Sequence, residues 1–177
     1  MIPFARLALP YSAESMSAPH RFLSDEQATL DLGSHLAPLL EPGLVIYLRG
    51  ELGAGKTTLA RGILRALGHE GPVKSPTYTL VEVYELSRLN LHHFDFYRFQ
   101  DPREWIDAGF RESFNPHTVG LIEWPEKAAG TLPPADLEIT LIPSGTGRSA
   151  SFIAASPEGE RIVESLMRRG DLTSAAS

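Results

Sequence analysis

Residues 50–57 carry a pattern that could hold a phosphate group, G-x-x-x-x-G-K-T. Glycine tolerates backbone angles that are closed to other residues, so main-chain N–H groups can approach phosphate oxygens. Lys56 can reach the β- and γ-phosphates of a nucleoside triphosphate, and the Thr57 hydroxyl can take one position on Mg²⁺, which prefers oxygen ligands. The predicted contacts to such a ligand come from Gly53, Ala54, Gly55, Lys56, Thr57 and Thr58.

The segments on either side of this pattern are those that phosphate binding requires. Residues 44–48 form a strand-like apolar run, and residues 59–67 repeat apolar side chains at helical spacing. The start of that helix would add unpaired N–H groups and the positive end of the helix dipole. An ordinary glycine-rich turn next to a lysine is the alternative, but the strand-loop-helix context favours a phosphate loop.

A phosphate loop also needs a carboxylate at the end of a neighbouring strand, to hold the metal directly or through water. Asp95 and Glu123 each follow a strand-like segment. Glu123 follows the cleaner apolar strand, residues 119–122, and is therefore favoured as the Mg²⁺ ligand. Asp95 would then lie nearby and contact the metal only indirectly, through one of its ligands, or it would orient the attacking water. An alternative for Asp95 is a helix cap or a partner for Arg98.

Four further polar residues have competing interpretations. Thr77 could sense the γ-phosphate as switch threonines do, or it could be only a turn residue after proline. Arg148, in a glycine-flanked turn, could reach a phosphate, stack on adenine or lie in solvent. His92 and His93 cannot chelate one ion together, because adjacent residues of a strand point to opposite faces.

The bulk composition limits the possible functions. The chain has 177 residues, of which 42% are hydrophobic, which is enough for one domain with a real core. It has no cysteine, which excludes disulfides, thiolate zinc sites and cysteine nucleophiles. The net charge of −6 argues against a broad nucleic-acid-binding face, so any role on a polynucleotide would need a partner's surface.

The N-terminal residues predict neither export nor a membrane span. No apolar run approaches the ~20 residues that a transmembrane helix needs. Residues 2–9 faintly resemble a secretory segment, but Arg6 interrupts the run and Pro10 ends it. We therefore expect a cytoplasmic protein without a membrane partner.

The chain divides into a flexible extension at residues 1–19, a domain at 20–170 and a frayed tail at 171–177. The predicted elements, in chain order, are a strand at 21–23, a helix from 24 to about 40, the phosphate-loop strand and helix, a hairpin of 79–86 with 91–96, a helix from 102, a strand at 119–122, an edge hairpin of 137–141 with 152–155 and a helix at 158–169. This order predicts an α/β fold: a three-layer P-loop NTPase-like domain with a mixed central sheet and flanking helices. Its ligand should bind at the carboxyl ends of the strands.

Start and stop signals set the ends of the predicted helices. Ser24 is the expected N-cap of the first helix, with Gln27 completing a capping box. Gly68 should end the phosphate-loop helix, and Pro102 should open the next one at its first position.

Four blocks of this sequence together resemble one known family. They are E-L-G-A-G-K-T-T at 51–58, V-K-S-P-T-Y-T-L-V-E at 73–82, H-F-D-F-Y-R at 93–98 and I-E-W-P-E-K at 122–127. The first block is shared by many families. In this order and at this spacing, however, the four are similar to TsaE, the bacterial ATPase of tRNA threonylcarbamoyladenosine modification. The resemblance runs from about residue 22 to the C-terminal helix.

The resemblance implies a small ATPase that uses ATP and Mg²⁺ and works with the TsaB and TsaD proteins. These partners transfer a threonylcarbamoyl group to the adenosine at position 37 of tRNA, so tRNA would be met only through them. By the same resemblance, Lys56 and Thr57 hold phosphate and metal, and Glu123 ligates Mg²⁺. Asp95 is needed for turnover.

The resemblance also implies roles around the edge of the site. Thr77 would belong to a mobile switch-like loop, and Trp124 would lie beside the metal-binding acid. Asp25 and Arg148 would flank the nucleotide. One departure is visible: Glu51 stands where the family often has aspartate, at a position that contributes mainly backbone.

Three functional hypotheses follow. The leading one is ATP hydrolysis that resets a TsaB–TsaD assembly between rounds of modification. ATP is favoured over GTP because the guanine signatures N-K-x-D and D-x-x-G are missing. The alternatives are a small-molecule kinase, which should have a mobile arginine-rich lid, and a nucleotide-gated binding module. Only Arg148 lies in a lid-like turn.

Overall fold

The structure is a computed structural model that describes residues 18–174. The predicted flexible extension therefore lies outside the described residues except for Ala18 and Pro19, as do the last three residues of the predicted tail. Residues 171–173, predicted as part of that frayed tail, are packed: Leu172 is buried. Thr173 and His20 also exchange two backbone hydrogen bonds, both of 2.8 Å.

The described residues form seven strands and four α-helices. In chain order they are β1 (His20–Leu23), α1 (Glu26–Leu36), β2 (Val45–Arg49), α2 (Lys56–Ala66), β3 (Val81–Glu85), β4 (Asn90–Asp95), α3 (Glu104–Asp107), β5 (Thr118–Glu123), β6 (Leu137–Ser144), β7 (Gly147–Ala154) and α4 (Pro157–Arg168). Short 3₁₀ turns at Ala37–Leu39, Phe110–Ser113 and Pro125–Ala128 complete the set. Among residues 18–174, no helix has both the length and the apolar character to cross a membrane.

The strands form one mixed sheet in the order β1-β7-β6-β2-β5-β4-β3. Strands β6, β2, β5 and β4 run parallel, whereas β1, β7 and β3 pair antiparallel with their neighbours. In the register, Leu48 pairs with Glu123, and Glu123 pairs with Asp95. The carboxyl ends of the three adjacent strands β2, β5 and β4 therefore meet at one edge, where a ligand is expected in such sheets.

Both faces of the central strands are buried, which is why strand β2 is hydrophobic from Val45 to Leu48, before the half-buried Arg49 at its end. Ile46 and Leu48 point into a core formed with α1, α2 and α4, and Val45 and Tyr47 point into a smaller aromatic core on the opposite face. Alternate residues of a strand face opposite sides, so each side needs its own covering layer. The predicted three-layer α/β fold with a mixed sheet is confirmed.

Three predicted details of the elements were wrong. The N-cap of α1 is Asp25, not Ser24: the Asp25 side chain accepts a 2.8 Å hydrogen bond from the Ala28 N–H. Aspartate caps as well as serine, so the sequence did not separate the two. The helix predicted from Pro102 begins only at Glu104, spans four residues and is followed by Gly109, which has a φ of 83°.

The third error concerns the hairpin of β6 and β7, which is not at the sheet edge. Strand β1 pairs antiparallel with β7 and is itself the edge strand. This pairing joins two segments that are far apart in the chain, and periodicity within either segment carries no signal of its partner. The expected hairpin of β3 and β4 is present.

Helices α1 and α2 touch main chain to main chain through two glycines. A Cβ added to Gly33 would lie 2.6 Å from the Leu59 carbonyl oxygen, and one added to Gly62 would lie 2.4 Å from the Leu30 oxygen. Real Cβ atoms do not approach backbone this closely. Any side chain at either position must therefore push the two helices apart.

We expect Gly62→Ala to destabilise the protein by about 2 kcal/mol, since overpacking a core costs roughly 1–3 kcal/mol. Alanine in an ordinary helix position would instead stabilise by up to about 1 kcal/mol. The melting temperature should fall by about 4–8 °C in circular dichroism. Gly71→Ala is the control outside the helix pair: a Cβ there would lie 2.9 Å from His69 Nε2, in a side chain that can shift where backbone cannot. A melting temperature equal to that of the wild type would contradict the proposed contact.

Candidate nucleotide-binding site

The loop between β2 and α2 is wrapped into a backbone concavity by glycines in conformations that other residues rarely adopt. Gly50 has a φ of 139°, and a Cβ there would lie 2.4 Å from the Leu141 carbonyl oxygen. Gly55, the N-cap of α2, has a φ of 107°. This loop ends at a helix N-terminus, which supplies unpaired N–H groups and a positive dipole end for an anion.

Lys56 is anchored within this loop. Its Nζ donates to the carbonyl oxygens of Gly50 at 2.5 Å and Glu51 at 2.9 Å. Glu51 therefore contributes its backbone, as predicted. The indole of Trp124 covers the ammonium, with 4.2 Å between Nζ and the ring centroid. Burial lowers the pKa of Lys56, against the opposing effect of nearby carboxylates, Glu123 foremost.

Thr57 and Glu123, the predicted metal ligands, are in contact. The Thr57 hydroxyl donates to Glu123 Oε1 at 2.9 Å. His93 Nε2 lies 2.8 Å from the same oxygen, and its side chain is fully buried. The role of His93 was missed from the sequence. The available signal was its position two residues before Asp95, which places both side chains on one face of β4.

Asp95 is also buried and joins the loop that follows α2 to the strand ends. Its Oδ1 accepts from the Tyr97 N–H at 2.9 Å. Its Oδ2 accepts from the Thr77 hydroxyl at 3.1 Å and from the Ser75 hydroxyl. The alternative pairing with Arg98 is not formed, since that guanidinium lies over the Tyr78 ring, 4.0 Å from its centroid.

Sequence reasoning also missed Ser75. Its hydroxyl lies 2.9 Å from the Thr77 hydroxyl, and both contact the same Asp95 oxygen. Serine and threonine two positions apart beside a proline were visible in the sequence, but the path of the loop toward Asp95 was not. Thr77 is thus more than a turn residue, because it holds the loop against a buried carboxylate.

Arg148 lies against the phosphate loop instead of in solvent. Its Nη1 donates to the Ala54 carbonyl oxygen at 3.1 Å, and a Cβ on Gly55 would lie only 2.0 Å from that nitrogen. Asp25 is exposed and caps α1. The pKa of Asp25 is lowered chiefly by the hydrogen bond from the Ala28 N–H, with a smaller contribution from the charge of Arg148.

A cavity of about 390 Å³ opens between these groups. Its lining comprises Glu26, Leu52, Gly53, Gly55, Lys56, Thr57, Thr58, Arg61, Ser75, Thr77, Asp95, Tyr97, Glu123, Trp124 and Arg148. Glu26 rather than its neighbour Asp25 forms part of the wall. A second cavity of about 410 Å³ lies between residues 38–44, which follow α1, and helix α4, and none of the predicted site residues line it. The donors and acceptors of the first cavity suit a phosphate chain with an oxygen-bound cation.

Comparison with known proteins identifies the family. Residues 23–150 match the model of the family described as threonylcarbamoyl adenosine biosynthesis protein TsaE. The chain belongs to the TsaE family. The segment of this chain that matches the TsaE model contains every residue predicted for the site, from Asp25 to Arg148.

Individual TsaE relatives agree with this assignment. The tRNA threonylcarbamoyladenosine biosynthesis protein TsaE of Haemophilus influenzae is 42% identical over 153 residues, covering 84% of this chain and 97% of that protein. The protein of the same name from Bacillus subtilis is 36% identical over 138 residues, covering 77% and 86%. The crystal structure of Bacillus subtilis YdiB is similar to this TsaE-family chain, with a TM-score of 0.74, 30% identity and coverage of 85% and 95%.

Proposed function

We propose that this protein binds ATP with Mg²⁺ and hydrolyses it as a component of tRNA threonylcarbamoyladenosine modification. The proposal is supported above all by one juxtaposition: the phosphate loop, the bonded pair Thr57 and Glu123, and Asp95 lie together at the carboxyl edge of three adjacent strands. Phosphoryl transfer relies mainly on positioning and on charge stabilisation, which this arrangement suits.

Each group has a distinct task in the proposed reaction. Backbone N–H groups of the loop and Lys56 would hold the phosphates. The described residues contain no cluster of three or more histidines or carboxylates that could hold a metal by themselves. Thr57 and Glu123 would therefore hold Mg²⁺ together with oxygens of phosphate and water. A bound Mg²⁺ would neutralise negative charge on the phosphates during the reaction.

Asp95 would accept a hydrogen bond from the attacking water and so orient it. Both of its oxygens accept bonds from the protein, Oδ2 from Ser75 and Thr77. A water could use Oδ2 fully only after these hydroxyls turn away. The position of the Ser75–Thr77 loop would therefore control the access of water to Oδ2, whereas Oδ1 keeps one free acceptor position among the described residues.

We expect the double change Ser75→Ala and Thr77→Val to loosen this loop, because Asp95 loses two donors. A hydrogen bond to a charged group contributes roughly 1.5–3 kcal/mol, so local opening should become at least about 10-fold more frequent. The measurement is hydrogen exchange of the Leu80 N–H, which donates to Pro76 O at 2.7 Å. Thr79→Val is the control, since that hydroxyl donates to Glu82. Unchanged exchange in the double variant would contradict the role of the two hydroxyls.

The proposed partners are TsaB and TsaD, which would carry out the transfer to tRNA in the cytoplasm. The net charge of −6 gives this chain little electrostatic affinity for tRNA alone, so contact with tRNA would pass through the partners. ATP hydrolysis would reset the TsaB–TsaD complex after each round.

The test is multiple-turnover modification of tRNA by purified TsaB and TsaD together with this protein. With ATP, we expect many modified tRNAs per TsaD, and with a non-hydrolysable ATP analogue at most about one. Phosphate release measured without any added small-molecule acceptor separates this function from that of a kinase. Equal turnover with ATP and with the analogue would refute the proposal.

A further inference from the structure

His93 is a buried histidine in the middle of the sheet, beside the proposed metal ligand. Its exposed fraction is 0%, and its Nε2 lies 2.8 Å from Glu123 Oε1. An ionised carboxylate can only accept, so Nε2 carries the hydrogen and donates it. Within the described residues, His93 Nδ1 is buried without a hydrogen-bond partner. The imidazole is therefore placed for one contact, the one to Glu123.

Packing alone does not explain a histidine at this position. Its register partner on β5 is Leu121, and Leu91 lies two residues earlier on the same face, both fully buried. A leucine would continue this apolar row, whereas an imidazole leaves one buried nitrogen unpaired at a cost of roughly 1–3 kcal/mol. The hydrogen bond to Glu123 is what the histidine adds.

The contact fixes the direction of the Glu123 carboxylate. Oε1 accepts from two elements, from Thr57 at the start of α2 and from His93 on β4. A glutamate side chain has three rotatable bonds, and these two donors hold it before any ligand arrives. Groups that orient a metal-binding residue in this way typically contribute 10–100-fold to metal affinity.

We propose that His93 is a positioning residue that holds Glu123 toward Thr57, so that Mg²⁺ meets a carboxylate already in place. This inference rests on the proposed function, since it assigns a task at the same site. It predicts that His93 affects the Mg²⁺-dependent part of nucleotide binding and leaves the metal-free part unchanged.

The test measures binding of a fluorescent ATP analogue to the full chain, first in EDTA and then at increasing Mg²⁺. Wild type, His93→Leu and His93→Gln should bind the analogue equally in EDTA. The Mg²⁺ concentration for half-maximal enhancement should rise at least about 10-fold in His93→Leu. It should return to within about threefold of wild type in His93→Gln, because the glutamine amide can donate in place of Nε2.

A second measurement needs neither ligand nor variant. Nitrogen-15 NMR of the free wild-type protein should show the His93 ring with its hydrogen on Nε2, and a hydrogen on Nδ1 alone would overturn the inference. Unchanged Mg²⁺ dependence in a folded His93→Leu would overturn it too, while wild-type binding of the analogue leaves the proposed function standing. If the wild type fails to bind the analogue at all, both the proposed function and the inference are refuted.

Discussion

Lys56→Ala should weaken ATP binding at least about 100-fold. The ammonium is held inside the phosphate loop by Gly50 O and Glu51 O and is covered by Trp124. Alanine removes the cation that the phosphate loop holds by its own carbonyl oxygens, while Arg61 and Arg148 remain in the cavity wall. Charge-assisted contacts in a partly dry site are much stronger than in water, so the loss should be large. A 100-fold loss corresponds to about 2.7 kcal/mol, within the range that buried charge pairs supply.

Titration with a fluorescent ATP analogue measures this loss. Arg168→Ala is the control, since it removes one positive charge from an exposed position on α4. A thermal melt of Lys56→Ala shows whether the variant is folded. The proposed site would be refuted by a folded Lys56→Ala that binds the analogue as tightly as Arg168→Ala does.

Asp95→Asn should reduce ATP hydrolysis at least about 100-fold and leave ATP affinity within about threefold. Asparagine has the same shape, and its oxygen can still accept from the Tyr97 N–H. The amide nitrogen, however, cannot accept a hydrogen bond from Ser75, Thr77 or a water. The change therefore removes the group proposed to orient water, and general-base or water-orienting groups typically contribute 10²–10⁴-fold.

Phosphate release in the presence of TsaB and TsaD measures the rate, and equilibrium binding measures the affinity. Asp101→Asn makes the same chemical change in an exposed turn and should alter neither quantity. If affinity and hydrolysis fell together in Asp95→Asn, the residue would be needed for nucleotide binding and not specifically for turnover.

The sequence predicts the parts of the site that follow either from one short segment or from the general geometry of parallel strands. The phosphate loop follows from residues within one short segment. The approach of Asp95 to Glu123 follows from a general property of parallel strands, whose carboxyl ends share an edge. For these two carboxylates, no knowledge of side-chain rotamers was needed.

The parts that escaped prediction depend on tertiary contacts. His93 reaches Glu123 only because β4 and β5 are neighbours in a particular register. Ser75 reaches Asp95 only through the path of an irregular loop. Strand β1 lies at the edge because it pairs with β7, near the other end of the domain. The periodicity of each of these segments does not identify the partner that the segment contacts.

The glycine contact between α1 and α2 has a mechanical consequence. Side chains between two helices normally allow small sliding movements, but Gly33 and Gly62 leave no such compliant layer. Glu26 at the start of α1 lines the cavity and pairs with Arg61 of α2, whose first turn continues the phosphate loop. If another molecule displaced the beginning of α1, the start of α2 and the phosphate loop would therefore be displaced with it.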